Sequence, residues 1–265
     1  VFVVCGMLVA FGAAPALAAP VHPAAAHGAM RQPSEDQKFV LPDTSIAGPA
    51  LWSQTVSRNA GGPAAVLAWT GTDPNHSLNI ETSTDGEHYG NKVTLDESSI
   101  TAPSVLVVSP NKVVLAWDGT DANHSLNVLY DALGTQRKLT LRDNSDQPPA
   151  LAQFNGDIFL AWTGTDLQHL LNVRDMGPLG LTVGQAVTLT QYTSLGGPYL
   201  APDPLHHQLL LTWTDTGNSV YLPADAPFIN YLASSSGLSW HLVLVAPPPQ
   251  TSVAGPSLIA LSPAP

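Results

Sequence analysis

Cysteine is all but absent. The only one, Cys5, lies in the first apolar segment, so the rest of the chain can form neither a disulfide nor a cysteine-ligated metal site. Positive charge is scarce as well: 9 Lys and Arg stand against 20 Asp and Glu, for a net charge of −11. Nucleic acid and anionic membrane surfaces both demand cationic contacts, so neither is an expected partner. Charged residues make up only 11% of the chain while 44% is hydrophobic, which excludes disorder through lack of core-forming residues. Long segments with helical periodicity are missing too, and with them the helical repeat folds. What is plentiful is turn chemistry. The 21 Gly and 24 Pro suit many short strands joined by tight turns, the composition of an all-β fold.

Residues 1–19 form an apolar run that ends on the small-residue pattern Ala16-Leu17-Ala18, the shape of a signal peptide and its cleavage site. Gly12 and Pro15 interrupt the run, which argues against a membrane anchor, and Val3-Val4 ahead of Cys5 do not make a lipoprotein signal. The expectation is a secreted or envelope-exposed protein without stable membrane insertion. An initiator Met and a basic start are missing, so the chain reads as truncated. Residues 20–37 are rich in Pro and Ala and read as a flexible leader before a domain that spans residues 38–265.

Within that domain the sequence repeats. Four segments match one another, at 66–73, 114–121, 159–166 and 210–217, and their tryptophans Trp69, Trp117, Trp162 and Trp213 follow at intervals of 48, 45 and 51 residues. Periods in the forties with short strands belong to β-propeller blades. A first strand opens each repeat after Pro49, Pro103, Pro149 and Pro198, and again after Pro256. The Trp strand comes second. A third follows around Asn79, Asn127, Asn172 and Asn230, and a fourth at Lys92-Val-Thr-Leu95 and its counterparts, ending with Leu242 to Val245. Four consecutive short strands make one antiparallel blade, so the reading is a propeller with four complete repeats and part of a fifth. Asn155-Gly156 between apolar runs is a strong hairpin signal, since both residues tolerate positive φ.

Between the third and fourth strands of the first repeat stands Ser83-Thr84-Asp85-Gly86-Glu87-His88-Tyr89. It resembles the Asp-box turn of sialidases and related propellers, with one residue fewer between Asp and Gly. The fourth repeat holds a fainter copy, Ser234 to Trp240, without the Asp. The resemblance, in register with a blade-length repeat, covers residues 38–265 and implies a non-catalytic bacterial member of the sialidase-like family. It also implies a structural role for Ser83, Asp85, Gly86 and Tyr89: the Asp accepts amide bonds within its own turn and the aromatic packs between strands.

Catalytic sialidases hold the sugar carboxylate with three arginines, because a guanidinium fork pairs both oxygens at once. This chain has five arginines. Arg31 lies in the leader, while Arg58, Arg137 and Arg142 fall at the end of the blades opposite the family's active site. Only Arg174 is placed to approach the functional face. No arginine triad can be assembled, no catalytic residue is assigned and no cofactor is implied.

A second repeated polar feature joins the second and third strands: Asp73 and His76, Asp121 and His124, Asp166 and His169, each pair three residues apart. Such a pair can hydrogen-bond sugar hydroxyls or ligate a metal. The competing reading is that the Asp closes its own turn and the His bonds a neighbouring blade. In the fourth repeat the pattern breaks and a loop is inserted at Ser219 to Pro227. The leading expectation is a propeller that binds a glycan or another polymer through these six residues, with no metal site. A sialidase-like glycosidase completed by residues outside the chain and a protein-binding scaffold are the alternatives.

Overall fold

The computed structural model describes residues 40–53, 62–215 and 228–242, with 3–4, 256 and 258–259. Among these residues there is no helix, and the strands form four antiparallel sheets of four strands each. The first sheet consists of β2 (Ala50–Ser53), β3 (Ala65–Thr70), β4 (Ser77–Ser83) and β5 (Tyr89–Ser98). The second comprises β6 (Ser104–Ser109), β7 (Lys112–Asp118), β8 (Ser125–Tyr130) and β9 (Arg137–Asn144). In the third are β10 (Ala150–Phe154), β11 (Asp157–Thr163), β12 (Leu170–Asp175) and β13 (Ala186–Thr193). The fourth holds β14 (Tyr199–Asp203), β15 (Gln208–Thr214), β16 (Ile229–Ser234) and β17 (His241–Leu242). A two-residue strand β1 (Val3–Val4) pairs antiparallel with β18 (Leu258–Ile259). All the sheets lie in one compact unit.

Burial explains the sequence pattern of each strand. The second strands β7, β11 and β15 are buried at every position after the first, so they read as unbroken apolar runs rather than alternating ones. A strand covered on both faces has no solvent side to keep polar. The fourth strands β5, β9 and β13 are the exposed edges, and Lys92 and Lys138 on β5 and β9 discourage edge pairing with another chain. The β10–β11 hairpin turns on Asn155 at φ 51° and Gly156 at φ 90°, as the dipeptide predicts.

The first strands lie side by side, β2 next to β6, β6 next to β10 and β10 next to β14. Core clusters fill the gaps between successive sheets. Trp117 packs with Val66 and Ile80 of the first sheet, Trp162 with Val114 and Val128 of the second, and Trp213 with Phe159 and Leu171 of the third. These three tryptophans are therefore mortar between sheets, each at most 3% exposed, and removing one such ring costs about 3–5 kcal/mol.

Cations cap three of these rings. Lys92 lies 5.3 Å from the Trp69 centroid, Lys138 5.3 Å from that of Trp117 and Arg174 5.8 Å from that of Trp162. Each cation also pairs with a carboxylate from the preceding repeat: Lys92 with Asp43, Lys138 with Glu97 and Arg174 with Asp143. Arg174 is thus engaged in holding the third sheet to the second, and it donates a further bond to Gly184 O at 3.0 Å. At Trp213 the partner is Tyr192 of the third sheet, edge-on at 5.1 Å.

Candidate functional site

The turn from second to third strand has one construction in the first three sheets. Gly71 N donates to Ser77 O at 2.8 Å, Gly119 N to Ser125 O at 2.9 Å and Gly164 N to Leu170 O at 2.8 Å. A side chain on Gly71 would stand 2.6 Å from Asp73 Oδ2, so the turn admits only glycine there. Asp73 accepts from Asn75 N and Ser77 Oγ on one oxygen and from Ser77 N on the other, at 2.9–3.0 Å. Asp121 accepts the same three bonds from Asn123 and Ser125. Asp166 keeps the two amide bonds, to Gln168 N and Leu170 N, but Leu170 has no hydroxyl to supply the third. Burial alone would raise the Asp73 and Asp121 carboxyls. The bonds from these turns outweigh it and hold both below the usual carboxylate range. These carboxylates therefore spend two or three of their roughly four acceptor sites on their own turn.

The histidines are different. His76, His124 and His169 sit at φ 53°, 52° and 51°, in the left-handed region. Their carbonyls accept the amides of Ser99, Ser145 and Ser194 in the links to the next sheets, at 3.0–3.2 Å. Backbone duty is thus complete, and among the described residues the three imidazoles make no hydrogen bond. His76 and His124 are half-buried and His169 is exposed. No three His, Cys, Asp or Glu side chains converge as a metal site among the described residues.

His76 faces a groove of about 600 Å3. One wall is its own turn with Asn75, another is the end of β5 with Asp96 and Ser98, and Ile100 and Thr120 close it on the side of the second sheet. Ser98 Oγ lies 2.8 Å from Thr120 Oγ1 and ties the two sheets at the groove's edge. The lining thus combines a donor amide, an imidazole, hydroxyls and an exposed carboxylate with an apolar patch at Ile100.

Asp118, whose carbonyl accepts the amide of the lining residue Ile100, is wholly buried at the end of β7. The signal for it in the sequence is one letter: the repeats read Trp-Thr at 69–70, 162–163 and 213–214, and Trp-Asp at 117–118. Burial pushes this carboxyl up, the Thr101 hydroxyl pulls it partly back, and nearby Asp146 adds to the rise, which reaches about 8.

At the opposite end of the first sheet, Asp85 Oδ1 accepts Glu87 N at 2.9 Å, His88 N at 2.8 Å and Ser83 Oγ at 2.9 Å. Gly86, at φ 84°, donates its N–H to Ser83 Oγ at 2.9 Å, and Tyr89 is half-buried beside the turn. His88 Nδ1 lies 2.8 Å from Asp85 Oδ2. In the fourth sheet Ser234 Oγ accepts Gly237 N at 2.8 Å, and Ser236 takes the place of the Asp as acceptor for Leu238 N and Ser239 N. The inserted loop 219–227 lies outside the described residues.

No protein-family model and no curated protein matches this chain. Solved structures do. An N-acetylgalactosamine deacetylase from F. plautii, in complex with blood group B trisaccharide, superposes with a TM-score of 0.52 at 12% identity, over 83% of this chain and 71% of that one. An exo-β-1,3-galactanase from Phanerochaete chrysosporium, with galactose, gives 0.48 at 13% identity, over 78% and 50%. A thermostable family-43 glycoside hydrolase gives 0.44 at 13%, over 75% and 72%. The four sheets of four antiparallel strands have the build of β-propeller blades, and the superposition on the F. plautii enzyme supports that architecture. At such identity the likeness extends to architecture alone. The F. plautii enzyme is a deacetylase and not a sialidase, so the resemblance read from the Asp-box is supported only as far as the blade architecture.

Proposed function

We propose that this chain is a secreted propeller that binds a neutral glycan polymer in the groove beside His76, without catalysis. The groove carries the reading. Its imidazole, amide, hydroxyls and single exposed carboxylate are the groups that hydrogen-bond sugar hydroxyls, and the apolar patch at Ile100 offers a surface for a sugar's C–H face. Glycoside hydrolysis needs two carboxyl groups flanking the bond, roughly 5–9.5 Å apart. Of the two carboxylates in the groove, Glu97 is paired with Lys138, which leaves Asp96 alone. His124 and His169, at equivalent backbone positions on the next two blades, support a repeating ligand, because later contacts on one chain are intramolecular.

A glycan array probed with the chain, beside a panel of fluorogenic glycosides, tests this reading. The expected outcome is binding without hydrolysis, weakened by His76→Gly and by Asp96→Asn. His76→Gly suits the test because glycine adopts the φ of 53° without strain. Binding that survives both substitutions, or turnover of any glycoside, refutes the proposal. Failure to bind any glycan while protein is captured in a pull-down would favour the scaffold alternative.

A further inference from the structure

The second strands of the four sheets end on Thr70, Asp118, Thr163 and Thr214, all at 0% exposure. In the first and third sheets this side chain is a donor. Thr70 Oγ1 donates to Thr101 O at 2.6 Å and Thr163 Oγ1 to Gly196 O at 2.8 Å. Both carbonyls stand two residues before the proline that opens the next sheet, and the residue at that place after the second sheet is Gln147. An ionised aspartate has no proton to donate; only its neutral form carries an O–H. Asp118 Oδ2 accepts from Thr101 Oγ1 at 2.9 Å, while Oδ1 is buried without a partner. A carboxylate in this position would keep one hydroxyl donor in place of its hydration shell, an unfavourable exchange.

The surroundings favour the neutral form. The first strands β6 and β10 have no titratable side chain, and β8 contributes only Tyr130. Asp121, on the turn that follows, is occupied by its own turn bonds. The charge that acts on Asp118 is Asp146, which is exposed and of like sign. That geometry agrees with the raised proton affinity of Asp118 described above.

Asp118 is also joined to the groove. Its carbonyl accepts Ile100 N at 3.2 Å and its carboxyl holds Thr101, so it grips the link between the first two sheets at two adjacent residues. Ile100 is a wall of the groove, and so is Thr120, two residues beyond Asp118.

We propose that Asp118 is a proton-carrying latch for the groove: neutral, it keeps the 98–101 link seated on the second sheet, and ionised, it draws in water and releases that wall. The ligand consequence rests on the glycan reading given above, whereas the latch is a property of the fold. Binding that requires the neutral form weakens about tenfold for each pH unit above the midpoint.

The test is a carboxyl-carbon and amide NMR titration of the whole chain from pH 5 to 9.5, with galactotriose as the binding probe. Asp118 is expected to titrate near pH 8, with the Ser98 and Ile100 amides moving at the same midpoint. Asp118→Asn, which keeps a donor, and Asp118→Thr, the residue of the other repeats, should hold those amides fixed throughout. An Asp118 carboxyl that titrates below pH 5, or one that titrates high while Ser98 and Ile100 stay still, overturns the latch. Galactotriose affinity that is constant from pH 6.5 to 9.5 also overturns it. If the latch titrates as expected and neither galactotriose nor any glycan of the array binds, the latch stands and the glycan reading of the groove falls.

Discussion

Lys138 reaches back from the second sheet to Glu97 of the first at 2.5 Å, and its ammonium lies 5.3 Å from the centroid of Trp117. One side chain thus joins two sheets and covers the ring between them. The arrangement recurs with Lys92 and Arg174. Partly exposed ion pairs contribute at most about 1 kcal/mol, and a cation over an indole adds about 0.5–1 kcal/mol.

Replacing Lys138 by Ala should therefore lower stability by about 1–2 kcal/mol, and Trp117→Ala by about 3–5 kcal/mol. Urea melts measure both. Part of the Lys138 effect should vanish in high salt, whereas the Trp117 effect should persist. A Lys138→Ala loss that is identical at low and high salt would mean the ion pair contributes nothing.

The three turn histidines sit where glycine is at ease. Relieving a left-handed residue gains about 1–2 kcal/mol, less the extra chain entropy of glycine, about 0.5–1 kcal/mol. His124→Gly should therefore leave stability unchanged or raise it by up to about 1.5 kcal/mol, whereas His124→Val should lower it. Thermal unfolding of both variants decides the point. A His124→Gly protein that melts well below the parent would reveal a structural duty for the imidazole.

Asp118 makes stability depend on pH in a definite direction. Its proton is held more tightly in the folded chain than in the unfolded one, where the pKa is about 3.9. Its contribution is complete below that value and is lost as pH rises towards about 8. Asp118→Asn should flatten the stability profile across that window. Parent and variant with parallel profiles between pH 4 and 8 would show that the carboxyl ionises freely in the fold.

The turn around Asp85 should respond in the opposite sense. Amide bonds from His88 and Glu87 hold this carboxyl far below its ordinary value. Its stabilisation is present above about pH 4 and fades only in strong acid. His88, raised by its bond to Asp85, contributes below about pH 6.5 and loses that share as pH rises further. Hydrogen exchange at the Glu87 and His88 amides should accelerate in Asp85→Ala and leave the β7 amides unchanged. Slow exchange at both positions in that variant would show the turn does not need its carboxylate.

Much of the architecture was legible from the residues because each level repeats it. Trp69, Trp117, Trp162 and Trp213 set the period, the prolines mark the first strands, and Asn155-Gly156 fixes a hairpin. The site was less legible. Asp73 and His76 look alike as polar turn residues, yet one is consumed by its own turn and the other leaves its imidazole over a groove. Nothing in their spacing separates these fates, since the groove takes its walls from β5 and from the turn of the next sheet. Arg174 misled for the same reason. Whether a guanidinium faces solvent or closes over Trp162 is decided by Asp143, 31 residues away.

The junctions between repeats are made of different materials. The early ones carry an ion pair beneath a capped ring, while the last sets Tyr192 edge-on against Trp213. Salt loosens the first kind, and cooling weakens the second, whose strength comes from excluded water. Brine is thus a stress felt at the early seams alone, whereas cold reaches every seam, because each is also filled by an apolar cluster.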